Sequence, residues 1–360
     1  MSRVSIVMTC FNNQHVLEKA IASIIRQDCV DWELFLVDEG SSDDSVRIAR
    51  SFSDPRIMVI AKETSGPSDA WNVGIKQAVS EFVILASSND EFEEGLVSQQ
   101  LAAQKANDAD VSFCLPTLID EQGLVVEDKR HSSFFNVSFQ GQEEAYFKLF
   151  SIGNFLLTSG VLIRRSLFSR FGFFKSSLFY LQDFDLWVRL APHCKMVHIS
   201  ERLVRYRLMG ENSTLLVRPD PIYIAAEYRL IYREFFDHAP RAFVRDAFEH
   251  VMEISDSPHP ADREVKIALL LMMHRQAEIQ TVGLERAMVA MSLPEQKASF
   301  RNHFGIEPRE LLRLAKGVAG ADPLQRELWS RYDAHRPAKK KKKKLMRRLL
   351  RTIRRFQEEK

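Results

Sequence analysis

The stretch "VSIVMTCFNNQHVLEKAIASIIRQ", residues 4–27, sets the fold. Val4 to Met8 read as a short buried strand. Val16, Leu17, Ala20, Ile21, Ile24 and Ile25 then recur with a helical period of 3.6. The plan repeats at once. "WELFLVDEGSSDDSVRIARSF" (32–52) holds a strand from Glu33 to Val37, a loop of acids and serines, and a helix that Ser42 or Asp43 can cap. "RIMVIAK" (56–62) is a third strand, "GPSDAWNVGIKQAVS" (66–80) a loop and helix, and "EFVILAS" (81–87) a fourth strand. Strands alternating with helices predict a mostly parallel, Rossmann-like sheet with helices on both faces. Ligands of such sheets bind at the carboxyl ends of the strands. The polar loops after Met8, Val37 and Ala86 all fall at that edge.

Further along, "ADVSFCLPTLIDEQGLVV" (109–126) carries two strand-like runs with a turn at Gly123. "TSGVLIRRSLFSRFGFF" is a strand and a short helix, "LQDFDLWVRLA" a helix with an acidic start, and "KMVHISERLVRYRL" a strand. Beyond residue 219 the period is helical and prolines punctuate it. The expected division is 1–218 for the α/β domain, 219–336 for a helical domain and 337–360 for a tail.

Hydrophobic residues make up 45% of the 360, enough for a sizeable core. No apolar run approaches the roughly 18 residues of a membrane span. The first residues form a strand pattern rather than a leader peptide. Cys10, Cys29, Cys114 and Cys194 show no paired spacing and read as reduced thiols of a cytoplasmic protein. The net charge of +2 is uneven: residues 339–360 hold seven Lys and five Arg against two Glu, a net +10, which leaves the rest at −8. An acidic body argues against a nucleic-acid partner. In the tail, Leu345, Met346, Leu349, Leu350, Ile353 and Phe356 recur at helical spacing opposite a run of arginines. That pattern suits a basic amphipathic helix lying on an anionic membrane surface through residues 339–356, where each basic residue contributes about 1 kcal/mol. A helix packed on the body or on a partner is the structural alternative.

Three constellations carry chemistry. Thr9, Phe11 and Asn12 with Asp38 and Glu39 place an aromatic ring near carboxylates at two adjacent strand ends, which suits a flat nucleobase and its ribose; a capped turn with solvated acids is the alternative. In "SSND" (87–90), Asn89 and Asp90 offer oxygen to a hard cation such as Mg²⁺ or Mn²⁺; a plain polar loop is the alternative. Asp183 and Asp185 begin a helix whose dipole favours their charged form. Asp185 can pair with Arg189 one turn on, and Asp183 can serve as a general base if it faces the cleft.

Together these segments resemble family 2 glycosyltransferases of the GT-A fold. The resemblance rests on "VSIVMTCFNN", "IASIIRQ" and "WELFLVDEGSSDDS", then "GPSDAWNVGIKQAVSEFVILASSND", then "SGVLIRRSLFSRFGFF" with "LQDFDLWVRLA", then "LVRYRLMGENST". It implies an inverting transferase that uses a nucleotide-diphosphate sugar, UDP-linked as the first expectation. Thr9, Phe11, Asn12, Asp38 and Glu39 would hold the nucleotide, with Asn72 of the Gly–x–x–x–Ala–x–Asn segment on the donor side. Asn89 and Asp90 would face the diphosphate and its metal, and Asp183 matches the family's catalytic base. A glycan or lipid-linked acceptor in cell-surface polysaccharide synthesis would place the enzyme on the inner face of the membrane. The chain departs from the family pattern at Ser87, Ser88 and Asn89, where Asp is usual, at Met209, where His is frequent, and at Gln182, where Glu precedes the base. Those departures keep open a non-catalytic nucleotide- or glycan-binding protein. A nucleotidyltransferase of similar fold would need a Gly-rich loop bearing Arg and Lys after the first strand, and the chain has none.

Overall fold

The computed structural model describes residues 4–28, 31–127, 135–208, 220–249, 260–302 and 304–311. The chain forms two compact units, Met1–Val244 and Arg245–Lys360.

The first unit is built on one sheet of β1 (Val4–Cys10), β2 (Trp32–Asp38), β3 (Ile57–Ala61), β4 (Phe82–Ser87), β5 (Glu91–Phe92), β6 (Val111–Ile119), β7 (Leu162–Arg164) and β8 (Met196–Arg207). Their spatial order is β3-β2-β1-β4-β7-β6-β8-β5. β1 pairs in parallel with β2 and β4, and β2 with β3. The intervening helices α1 (Leu17–Ile25), α2 (Ser45–Ser51) and α3 (Pro67–Gln77) are the crossovers that parallel pairing requires. The sheet is mixed in its second half. β7 runs antiparallel to both β4 and β6, and β5 antiparallel to β8.

Alternating side chains of the central strands serve two faces. Ile6, Met8, Leu34 and Leu36 join Leu17, Ala20, Ile21 and Ile24 of α1 in one buried cluster. Val7 and Val37 meet α3 on the other face. There Gly74 lets the helix lie directly on the sheet, since a Cβ at that position would fall 2.3 Å from Val7 Cγ1. The register sets Cys10 beside Asp38, Asp38 beside Ala61 and Thr9 beside Ser87. The loops after β1, β2 and β4 therefore open at one edge.

The second run read in 109–126 is not a strand. Asp120 Oδ1 accepts from the backbone N–H of Gln122 (3.0 Å) and Leu124 (2.8 Å), folding the chain back after a single bridge between Ile119 and Val125. The remaining helices of this unit are α4 (Leu96–Asn107), α5 (Gly141–Ser151), α6 (Ser166–Phe171), α7 (Gln182–Leu190) and α8 (Pro221–Glu234). α8 moves the expected domain boundary. The Tyr232 hydroxyl donates to the Phe150 carbonyl at 2.8 Å, and its ring packs on Phe150 and Phe184. The α/β unit thus runs past residue 218 to Val244.

Helix α9 (Arg241–Phe248) spans the division, and α10 (Pro260–Met272), α11 (Ala277–Ser292) and α12 (Pro294–Asn302) form the second unit. Val265, Ala268, Ala287, Ala290 and Phe300 make its core. Gly283 permits a close crossing, as a Cβ there would lie 2.4 Å from the Met272 nitrogen. Cys10, Cys114 and Cys194 are buried free thiols. Among the described residues no helix is long and apolar enough to cross a membrane. Cys29, Met209 and the tail at 337–360 lie outside the described residues.

Candidate active site

Three strand-end loops are sewn together by side chains. Asp38 Oδ2 accepts from the N–H of Gly40 (3.1 Å) and Ser41 (2.9 Å), and its Oδ1 from the Ser41 hydroxyl. Asn12 sits at φ 51°, a left-handed conformation that Asn tolerates better than most residues. Its N–H donates to Ser41 Oγ (2.8 Å) and its Oδ1 accepts from Ser42 N–H (2.8 Å). Asn13 donates from its backbone to Ser45 Oγ (2.9 Å) and from Nδ2 to Ser88 Oγ (2.6 Å). Asp38 and Asn12 therefore shape the rim on which Thr9 and Phe11 remain partly exposed. Glu39 is buried beside them. Burial pushes its carboxyl up to about 7; Lys62 opposes the rise, while Asp38 and Asp69 add to it.

Asn72 departs from the expected donor-side role. Both halves of its amide are taken by one residue: Nδ2 donates to the Phe174 carbonyl (2.9 Å) and Oδ1 accepts from Phe174 N–H (3.0 Å). It splints α3 to the segment that leads into α7. Ser68 Oγ, donating to the Leu178 carbonyl at 2.6 Å, and the Ser176 hydroxyl, donating to Asp69, do the same.

The "SSND" loop and the start of α7 meet across residues 154–159. Asp183 Oδ2 accepts from Asn154 Nδ2 (2.9 Å) and Thr158 Oγ1 (2.5 Å), and its Oδ1 from Phe184 N–H (2.7 Å). Burial drives the Asp183 carboxyl above the usual carboxylate range, and these hydrogen bonds oppose the rise. One residue on, Ser159 hydrogen-bonds Asp90, whose Oδ1 also accepts from Arg207 N–H at 3.0 Å. Burial pushes Asp90 up to about 6. Tyr206 lies within electrostatic reach of both acids. Its hydroxyl is pushed up first by burial, then by the charges of Asp90 and Asp183.

Behind the loop stands Arg207, its side chain fully buried. It donates to the carbonyls of Asn89 (Nε, 2.9 Å), Asp120 (2.8 Å) and Glu121 (3.1 Å), and pairs with Glu91 at 2.5 Å. Asp185 is structural as expected: it accepts from Arg189 Nε (2.8 Å) and Lys175 Nζ (2.9 Å).

The donor set at 89–90 fits a hard cation in kind. Asn89 Oδ1 is a buried oxygen without a hydrogen-bond partner among the described residues. Asp90 supplies a carboxylate. In number the set is small, because among the described residues no group of three His, Cys, Asp or Glu converges on a common point. A divalent ion there would complete its shell from a bound diphosphate.

Asn154, Thr158, Ser159, Tyr206, Arg207 and Glu227 were not singled out in the sequence. Thr158 and Ser159 carry no strand-end signal, because "TSG" follows the buried Phe155, Leu156 and Leu157 and precedes its strand instead of ending one.

The arrangement sets the partly buried Asp183, whose Oδ1 accepts a single donor, beside the loops that carry Asp90 and the partly exposed Thr9 and Phe11. Residues 5–172 match the family model described as Glycosyl transferase family 2. An uncharacterized glycosyltransferase of Rickettsia typhi is 29% identical over 216 residues, which is 59% of this chain and 65% of that protein. The GalNAc(5)-diNAcBac-PP-undecaprenol beta-1,3-glucosyltransferase of Campylobacter jejuni is 29% identical over 220 residues, 60% of this chain and 68% of that protein. The chain thus spans about two thirds of the length of these curated relatives. Among solved structures, S. aureus TarS 1–349 in complex with UDP-GlcNAc aligns with a TM-score of 0.56 at 15% identity, covering 83% of this chain and 89% of that one. At that identity the likeness is one of fold.

Proposed function

We propose that the chain is a glycosyl transferase of family 2, whose model residues 5–172 match, and that it moves a sugar from a nucleotide-diphosphate donor to an acceptor hydroxyl, with inversion and with Asp183 as general base. The observation that carries this reading is the hydrogen bonding of Asp183. Its Oδ2 already accepts two donors and its Oδ1 only one, from Phe184 N–H. Oδ1 is therefore the atom that can take the proton of an acceptor hydroxyl. As that proton moves to Oδ1, the acceptor oxygen forms a bond to the anomeric carbon. The bond from that carbon to the diphosphate oxygen breaks on the opposite face, releasing the nucleoside diphosphate. A raised carboxyl suits this role, because a base works best when its pKa approaches the working pH.

Thr9, Phe11 and Glu39 line the rim proposed for the base and ribose, on loops that Asn12 and Asp38 hold in shape. Mg²⁺ or Mn²⁺ held by Asn89 and Asp90 would neutralise charge on the departing diphosphate. A UDP-sugar donor and a lipid-linked acceptor are supported by the UDP-GlcNAc complex of TarS and by the undecaprenol-linked substrate in the Campylobacter relative's name. The basic amphipathic pattern of 339–356 supports peripheral attachment to the inner face of an anionic membrane, in reach of such an acceptor, and a role in surface polysaccharide synthesis. The sparse ligand set at 89–90 favours a second reading, a binding protein without turnover on the same fold.

Release of UDP from UDP-glucose and UDP-GlcNAc by the full chain tests the choice. Turnover supports transfer. UDP binding without turnover on any donor or acceptor selects the binding protein, and absence of UDP binding would sink the donor site.

A further inference from the structure

Helix α8 lies outside the segment that matches the family model, and none of its residues stood out in the sequence for chemistry. One of its side chains nevertheless reaches the start of α7. Glu227 is 3% exposed. Its Oε1 accepts from Phe179 N–H at 2.6 Å, and its Oε2 from the N–H of Tyr180 (3.1 Å) and Leu181 (2.8 Å). Three successive backbone donors thus converge on one carboxylate from 46 to 48 residues away.

Those donors end where α7 begins. The first N–H groups of a helix lack partners within it, and Leu181, at the N-cap, has no side chain that can accept. Asp183 covers Phe184 N–H with its own Oδ1. Glu227 covers the three groups just before, fixing the approach to the turn that presents Asp183. Two further ties run alongside it. Lys175 bridges Glu234 of α8 (2.8 Å) and Asp185 of α7 (2.9 Å). Tyr223, one turn before Glu227, packs edge-on against Phe179 and Tyr180. The same segment is held from its other side by Ser68 and Asn72 of α3.

We propose that Glu227 is a positioning residue for the transfer reaction, acting through the α7 start to fix Asp183, so that α8 is a working part of the active site. The proposal rests on the base role given to Asp183 above. Displacing a base by about 1 Å lowers turnover by up to roughly 100-fold. Donor binding, on loops at the ends of β1, β2 and β4, is expected to stay intact.

The test uses the full chain as wild type, Glu227→Gln and Glu227→Ala. Three measurements are made: amide hydrogen exchange followed by mass spectrometry, UDP release from UDP-GlcNAc and UDP-glucose, and UDP affinity and stoichiometry from calorimetry. Both variants should speed exchange in peptides covering 179–185 at least tenfold, with the β1–β4 strands unchanged. They should lower kcat about 10- to 100-fold, the alanine variant more, with KM for donor and UDP stoichiometry within twofold of wild type. A merely structural loss would reduce the UDP stoichiometry along with the rate. Unchanged exchange at 179–185, or unchanged kcat in a wild type that turns over, overturns the proposal alone. A wild type without turnover on any donor overturns it together with the transferase reading.

Discussion

Arg207→Met is the substitution whose effect can be worked most fully from the structure. Methionine fills much of the same volume but removes every guanidinium donor. Glu91 Oε1 loses its partner, the carbonyls of Asn89 and Glu121 each lose an Arg207 donor, and the Asp120 carbonyl keeps Gly123 N–H (3.0 Å). Removing one member of a buried ion pair costs about 3–5 kcal/mol. Glu91 keeps a second cation only at a distance, with Arg205 Nε 3.8 Å from its Oε2. At about 2–4 °C per kcal/mol for a unit of this size, the midpoint should fall by about 6–20 °C. The Arg207 backbone N–H that holds Asp90 survives, yet the loop loses its anchor at the Asn89 carbonyl, so UDP should also bind more weakly. Thermal unfolding followed by tryptophan fluorescence reads the right unit, since Trp32, Trp71 and Trp187 lie in it out of four tryptophans in the chain. Arg207→Lys should recover less than half of the loss, because an ammonium cannot reproduce the fork. A fall of less than about 3 °C for the methionine variant, below half of the smallest expected shift, would show that the buried network contributes little and would refute the reasoning.

Three other outcomes are expected. Glu39 is neutral in the folded chain up to about 7, against an ordinary 4.5, so the folded state holds the extra proton and stability falls as pH rises between those values. Glu39→Gln should therefore be stabilising by about 3 kcal/mol at pH 8 and close to neutral at pH 4.5 in chemical denaturation; a gain independent of pH would contradict the burial argument. Gly74→Ala forces a methyl against Val7 and should destabilise by about 1–3 kcal/mol despite alanine's better helix propensity, a change that urea unfolding resolves. Mn²⁺ titrated into the free chain should give no saturable binding at micromolar concentration, whereas Mn²⁺ with UDP present should; tight binding to the free chain would mean that more protein ligands converge on 89–90 than the structure provides.

The central βαβ pattern was readable because burial imposes it locally. Ile6, Met8, Leu34 and Leu36 alternate, and α1 repeats at 3.6, within single short windows. The loops at the carboxyl edge followed from that pattern, and with them Thr9, Phe11, Asp38, Glu39, Asn89 and Asp90. What stayed hidden depends on long-range closure. β7 enters antiparallel between β4 and β6, which no local period announces. Asn154 and Thr158 reach Asp183 across 29 and 25 residues, and Asn72 meets Phe174 across 102. The side chain of Asn72 fits a motif by spacing, yet its amide is consumed by a distant backbone. Glu227 was hidden for the same reason. A glutamate in an amphipathic helix reads as solvated until the fold turns it toward three orphan amides.

The central claim, that Asp183 is the base of a sugar transfer, is tested most directly by comparing wild type with Asp183→Asn in donor binding and turnover together. The amide keeps the size of the side chain and loses the proton acceptor. The account predicts UDP affinity within about threefold of wild type and UDP release from the sugar donor lowered by about 100- to 10,000-fold, the range of general-base catalysis. Turnover by Asp183→Asn within a few fold of wild type, with binding intact, would contradict the account and place the base elsewhere.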